Sequence, residues 1–169
     1  TTASDPDDDI LIDYTTSDGT ATGGQDYTTT SGQIIIPQGT STLSYTVDVP
    51  ILSDVITEAD ETFNFDITFS TTNTSAAQIS DGSAEGRIND DDAAEISIND
   101  LTQAEDDAGS ILYIFTATLT GAVDQAFDVN YATSNNTATN PSDYTAQSAQ
   151  SVTFNGSDGE TEFIQIIAN

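Results

Sequence analysis

The sequence predicts an all-β protein built from β-sandwich units in tandem. Three observations carry this: short blocks in which apolar and polar residues alternate, clusters of Gly, Asn, Asp, Ser and Thr between the blocks, and an internal repeat of constant offset. Successive side chains of a strand point to opposite faces, so a period of two marks a strand with one buried face.

Taken in order, the first block is 10–16, opening on Ile-Leu-Ile, and the next covers 33–36. Leu43, Tyr45, Val47, Val49 and Ile51 share one face of a predicted strand over 42–52. Pro50 has no amide donor, which predicts an edge or a bulge there. Phe63, Phe65, Ile67 and Phe69 share the face of the following strand, and 85–89, 95–99, 111–119, 127–133, 151–154 and 162–167 complete the set. Helix is nearly absent.

The repeat pairs Ile12–Gln33 with Val129–Gln150, in which eleven of 22 positions are identical. Tyr14 matches Tyr131 and Asp26 matches Asp143, so 131 − 14 = 143 − 26 = 117 residues separate equivalent positions. That period suits one β-sandwich domain. The register predicts a unit over 1–92 that lacks its opening strands and a unit over 93–169 that lacks its closing ones, a window cut from a longer array.

Composition narrows the function. Against 29 acidic residues stands a single base, Arg87, for a formal charge of −28. One arginine cannot neutralise that field, so divalent cations or a saline medium must screen it. Nucleic acid and anionic membranes are poor partners for such a chain. No apolar run reaches the length of a membrane span, and direct membrane insertion is not expected; the first residues have neither the basic region nor the apolar core of a signal peptide. Without cysteine, neither disulfides nor thiolate metal sites arise.

Absence of His, Cys and Lys also closes most catalytic routes. A carboxylate pair such as Asp54 with Glu58 is the arrangement left for glycoside hydrolysis, but among so many acids such pairs arise by chance, and no enzyme is expected. Two acid clusters border apolar strands instead: Asp54, Glu58 and Glu61, and the run Asp90-Asp91-Asp92. Packed carboxylates repel unless a cation lies between them, and Ca2+ takes six to eight oxygen ligands of this kind. No EF-hand loop is present, and Gly-Gly-Gln-Asp at 23–26 is a lone fragment, not a repeated glycine-rich calcium nonapeptide.

Four blocks in order carry a resemblance to a known family: Asp-Tyr-Thr-Thr-Ser-Asp-Gly-Thr-Ala-Thr-Gly-Gly-Gln-Asp-Tyr, then Ile-Pro-Gln-Gly-Thr, then Ser-Asp-Val-Ile-Thr-Glu-Ala-Asp-Glu-Thr-Phe, then Gly-Arg-Ile-Asn-Asp-Asp-Asp. The chain resembles Calx-beta domains, with 10–92 as the later two-thirds of one domain and 93–169 as the earlier two-thirds of the next. The resemblance implies seven-stranded, immunoglobulin-like β-sandwiches, as found in sodium/calcium exchangers, integrin β4 and large bacterial surface proteins. It also implies Ca2+ at loops of one end, with metal ligands Asp26, Asp54, Glu58, Glu61, Asp90, Asp91 and Asp92 in the first unit. In the second unit it implies Glu105 and Asp143.

Each ligand has a plainer reading. The plainer reading makes Asp90 to Asp92 a solvated linker, the 54–61 acids a charged loop before a strand, and Asp26 and Asp143 residues that cap their own loop in an Asx-turn. Asp5 and Asp7 to Asp9 match no ligand position and read as a solvated loop. The sequence as a whole points to a calcium-binding structural repeat of a large extracellular or cell-surface protein, an adhesin or filament. Calcium ions and neighbouring repeats or other copies are then its partners. The alternatives are a calcium-sensing regulatory module of a transporter and a sugar- or surface-binding module.

Overall fold

A computed structural model of the chain describes residues 9–39, 44–70, 78–104 and 109–169. Among them there is no helix, and the strands run β1 (Ile10–Asp18), β2 (Ser31–Ile36), β3 (Ile56–Thr57), β4 (Glu61–Phe69), β5 (Ser83–Ile88), β6 (Glu95–Ile98), β7 (Ile111–Thr120), β8 (Ala122–Val123), β9 (Phe127–Tyr131), β10 (Gln150–Phe154) and β11 (Thr161–Ala168). The chain divides into two compact units, one of residues 1–54 with 59–90 and one of residues 55–58 with 91–169.

The first unit is organised by an antiparallel sheet in the order β2-β1-β4-β5. Its register opposes Ile12 to Phe69, Tyr14 to Ile67 and Asp18 to Phe63 across β1 and β4. Cross-strand glycines make room for aromatic rings. Phe63 lies opposite Gly86 and Tyr14 opposite Gly32, and a β-carbon on either glycine would collide with the facing ring. Tyr27 stacks on Phe63 with ring centroids 4.7 Å apart, and with Ala21 these form the buried cluster, flanked by Val49 and Ile88.

The second unit opposes a sheet β11-β7-β6 to the hairpin β10-β9. Leu119, Ala117, Ile164 and Ile166 from the first sheet pack with Phe154, against which Phe127, Val129 and Val152 lie. Phe127 and Phe154 stack at 5.6 Å. Beside them β3 and β8 form a two-residue parallel pair, Ile56 with Ala122 and Thr57 with Val123. Two residues carry no period, so neither strand was legible beforehand.

One predicted strand takes a different form. Residues 44–50 join no ladder, and Ile51 makes only an isolated bridge to Tyr27. The alternation is real, since Val47 and Val49 are half-buried between exposed neighbours. Pro50 offers only its carbonyl, which accepts the Thr28 amide at 2.8 Å, and the Leu52 amide donates to the Asp26 backbone carbonyl at 2.9 Å. The equivalent stretch of the second unit is β11, a strand because β7 lies along it.

Candidate metal centre

The loop between β1 and Tyr27 is closed by side chains. Asp18 Oδ1 accepts the Tyr27 hydroxyl at 2.6 Å and the Gly23 amide at 2.8 Å, and Asp26 Oδ2 accepts the Thr22 amide at 2.6 Å. Tyr27 is fully buried, so its ring anchors the loop to the core and presents Asp26 beside it. The Tyr27 hydroxyl and the Gly23 amide hold the Asp18 carboxyl below its ordinary range, and Asp18 in turn raises the Tyr27 hydroxyl.

The second unit repeats this loop at the same offset. Asn135 Oδ1 accepts the Tyr144 hydroxyl at 2.7 Å and the Asn140 amide at 2.9 Å. Asp143 Oδ2 accepts the Thr139 amide at 2.7 Å and the Thr139 hydroxyl at 3.0 Å, and those bonds depress its pKa. Asp26 and Asp143 each close their own loop through Oδ2, but by accepting the amide four residues earlier and not the amide two residues on that an Asx-turn uses. Asn135 replaces Asp18, keeping the acceptor and dropping the charge.

Three of the acids singled out in the sequence converge. Asp26, Glu58 and Glu61, each half-buried, offer carboxylate oxygens that all lie within 4.8 Å of one another. Such a cluster costs electrostatic energy that a hard cation with oxygen preference removes. Asp54, Asp90, Asp91 and Asp92 are not members of this trio. Asp54 and Asp91 are exposed, whereas Asp90 and Asp92 are half-buried.

Asp60 was not singled out by sequence. Its Oδ2 pairs with the Arg87 guanidinium and its Oδ1 accepts the Asp90 amide at 3.1 Å, which keeps its pKa low, the arginine contributing most. The signal available was that a lone arginine among 29 acids must choose one of them. Which acid it chooses follows from the β4–β5 register, where Arg87 opposes Thr62 and so lies within reach of Asp60.

In the second unit Glu105 lies outside the described residues. Asp143 lines a cleft of about 440 Å³ with Gln103, Ile111, Tyr113, Thr137 and Asn169. Subtracting 117 maps Asp143 onto Asp26, so this cleft stands at the position equivalent to one corner of the trio.

The sequence profile of the Calx-beta domain matches residues 1–92 and again residues 95–168. The chain belongs to the Calx-beta family. It carries two Calx-beta domains in tandem, all-β and of the immunoglobulin-like sandwich type. Two solved structures are similar, the calcium binding domain CBD12 of CALX1.1 and CBD12 from CALX1.2. Each is 22% identical over 97% of this chain, with a TM-score of 0.41. This Calx-beta chain spans 64% and 65% of their respective lengths. A comparison with curated proteins finds no match.

Proposed function

We propose that this chain is a calcium-binding structural module of a large extracellular or cell-surface protein, an adhesin or filament, in which bound calcium rigidifies the repeats. The observation that carries this reading is the convergence of Asp26, Glu58 and Glu61 within 4.8 Å, in a chain whose one arginine pairs with Asp60. The donor set fits the ion. All three are hard carboxylate oxygens, partly withdrawn from water, and the coordination number of Ca2+ leaves room for backbone carbonyls, water and further acids.

In this proposal Asp26, Glu58 and Glu61 hold the first ion, and Asp54 with Asp90, Asp91 and Asp92 extend the site. Glu105 and Asp143 belong to the equivalent site of the second domain. Calcium supplies the positive charge that lets these acids stay ionised at close range. The Thr22 amide holds Asp26 Oδ2 and so orients the carboxylate before any ion arrives. The module performs no catalysis in this reading. An extracellular setting matches the saline and divalent cations that a charge of −28 requires.

The test is thermal unfolding in calcium and in chelator at fixed ionic strength, together with calorimetric titration. Binding only to the folded state adds about 2.7 kcal/mol at a hundredfold excess over Kd. Melting should rise in calcium, and equal melting points would overturn the proposal.

A further inference from the structure

Strands β7 and β11 of the second unit alternate strictly. Ala117, Leu119, Ile164 and Ile166 point into the core. The opposite positions of such a sheet face water and are ordinarily polar. Here they include Leu112 at 42% exposure, Ile114 at 42%, Phe163 at 59% and Ile167 at 44%. Pairing sets Ile167 opposite Leu112, Gln165 opposite Ile114 and Phe163 opposite Thr116, so the four apolar side chains form adjoining rows.

The fold does not require this. At the offset of 117, Phe163, Gln165 and Ile167 correspond to Thr46, Asp48 and Pro50, all exposed, so the first unit presents a charged residue where the second presents none. Thr116, Thr118, Thr120, Thr161 and Gln165 complete the outward face of β7 and β11, which bears no charge of its own in a chain of net charge −28; the outward acid of the adjoining β6 is Glu95, at the rim opposite Thr120.

That charge pattern selects the occupant. A cationic partner is drawn to carboxylates, and this face gives it none to pair with. A like-charged copy of the chain is repelled wherever acids face acids and is admitted where neither side has one. We propose that the outward face of β7 and β11 is a self-association surface, on which a second copy of this chain packs face to face about a two-fold axis. Apolar surface of a few hundred Å² marks such sites. A standard interface uses about 800 Å² per partner, with an apolar centre and a polar rim, and here the threonines and Gln165 supply the rim.

Salt separates this surface from a charge-recognition site, because screening removes the repulsion between copies and strengthens their association. In sedimentation equilibrium of the 169-residue chain, dimerisation should tighten by about tenfold or more between about 0.05 M and about 0.5 M NaCl. The double substitution Phe163→Thr with Ile114→Thr should abolish it while the circular dichroism of the strands persists. Cross-linking decides independently of that variant's folding, since the chain has no cysteine of its own. With a thiol reagent spanning about 10 Å, the spacing of facing sheets, Thr116→Cys should form covalent dimers at least several times faster than Thr46→Cys. A monomer at both salt concentrations, a folded double variant that dimerises like the parent, or equal cross-linking at the two positions would overturn the proposal.

Discussion

Arg87 and Asp60 form the ion pair that ties the end of β5 to the start of β4: the guanidinium holds one carboxylate oxygen while the Asp90 amide donates to the other. The only cationic side chain of the chain thus serves the segment that contains Glu58 and Glu61, and leads directly into the run Asp90-Asp91-Asp92. Both partners are exposed, so the pair contributes little by itself and is screened by salt. Arg87→Gln should lower the melting temperature by no more than about 4 °C at low ionic strength. The difference should vanish near 1 M salt, and a drop that persists there would mean that Arg87 acts through packing.

The carboxylate trio makes location, more than total charge, decide affinity. Glu58→Gln or Glu61→Gln should weaken calcium binding in calorimetry by about tenfold or more, since each removes a ligand of a hard cation. Asp100→Asn, an exposed acid outside the group, should change affinity only through screening. Equal losses in all three would show a diffuse ion atmosphere and no specific cage.

Acid should loosen the first loop before the second. The Asp18 pKa is depressed by the Tyr27 hydroxyl and the Gly23 amide, so its stabilisation is present above the ordinary carboxylate pKa of about 3.9 and is lost as pH falls through the lower folded value. Asn135, in the same position of the second unit, carries no titrating proton. Hydrogen exchange corrected for intrinsic rates should show the Gly23 amide losing protection below about pH 4, with the Asn140 amide less affected. Asp18→Asn, which keeps the acceptor, should remove the difference. At the alkaline end the sign reverses: Tyr27 is raised, so its contribution is intact below about pH 10 and lost as pH rises through its folded value.

Gly86 is held glycine by the ring opposite it. A β-carbon there meets the Phe63 ring, which is 8% exposed and stacked on Tyr27. Gly86→Ala should destabilise the first unit by about 1–3 kcal/mol, as overpacking does. Chemical denaturation measures it. Phe63→Leu in the same background should recover part of the loss, and no loss in Gly86→Ala would show that the ring can turn aside.

Local chemistry was enough to make much of this chain legible. Period-two alternation marks β4, β7 and β11 because side-chain direction in a strand depends only on neighbouring residues. The 117-residue offset that matches Asp26 to Asp143 also matches Tyr27 to Tyr144, and in the structure both hydroxyls reach the residue 9 positions earlier, Asp18 and Asn135. What only the tertiary structure decided is which distant groups meet. Asp26 joins Glu58 and Glu61 because β1 and β4 pair with Asp18 opposite Phe63, and a slip of one residue in that register would turn every side chain of β4 to the other face. The same long-range register gives Arg87 to Asp60, and the absence of a neighbouring ladder among the described residues leaves 44–50 outside any sheet. Alternation states which way a side chain points; pairing across the sheet determines what it points at.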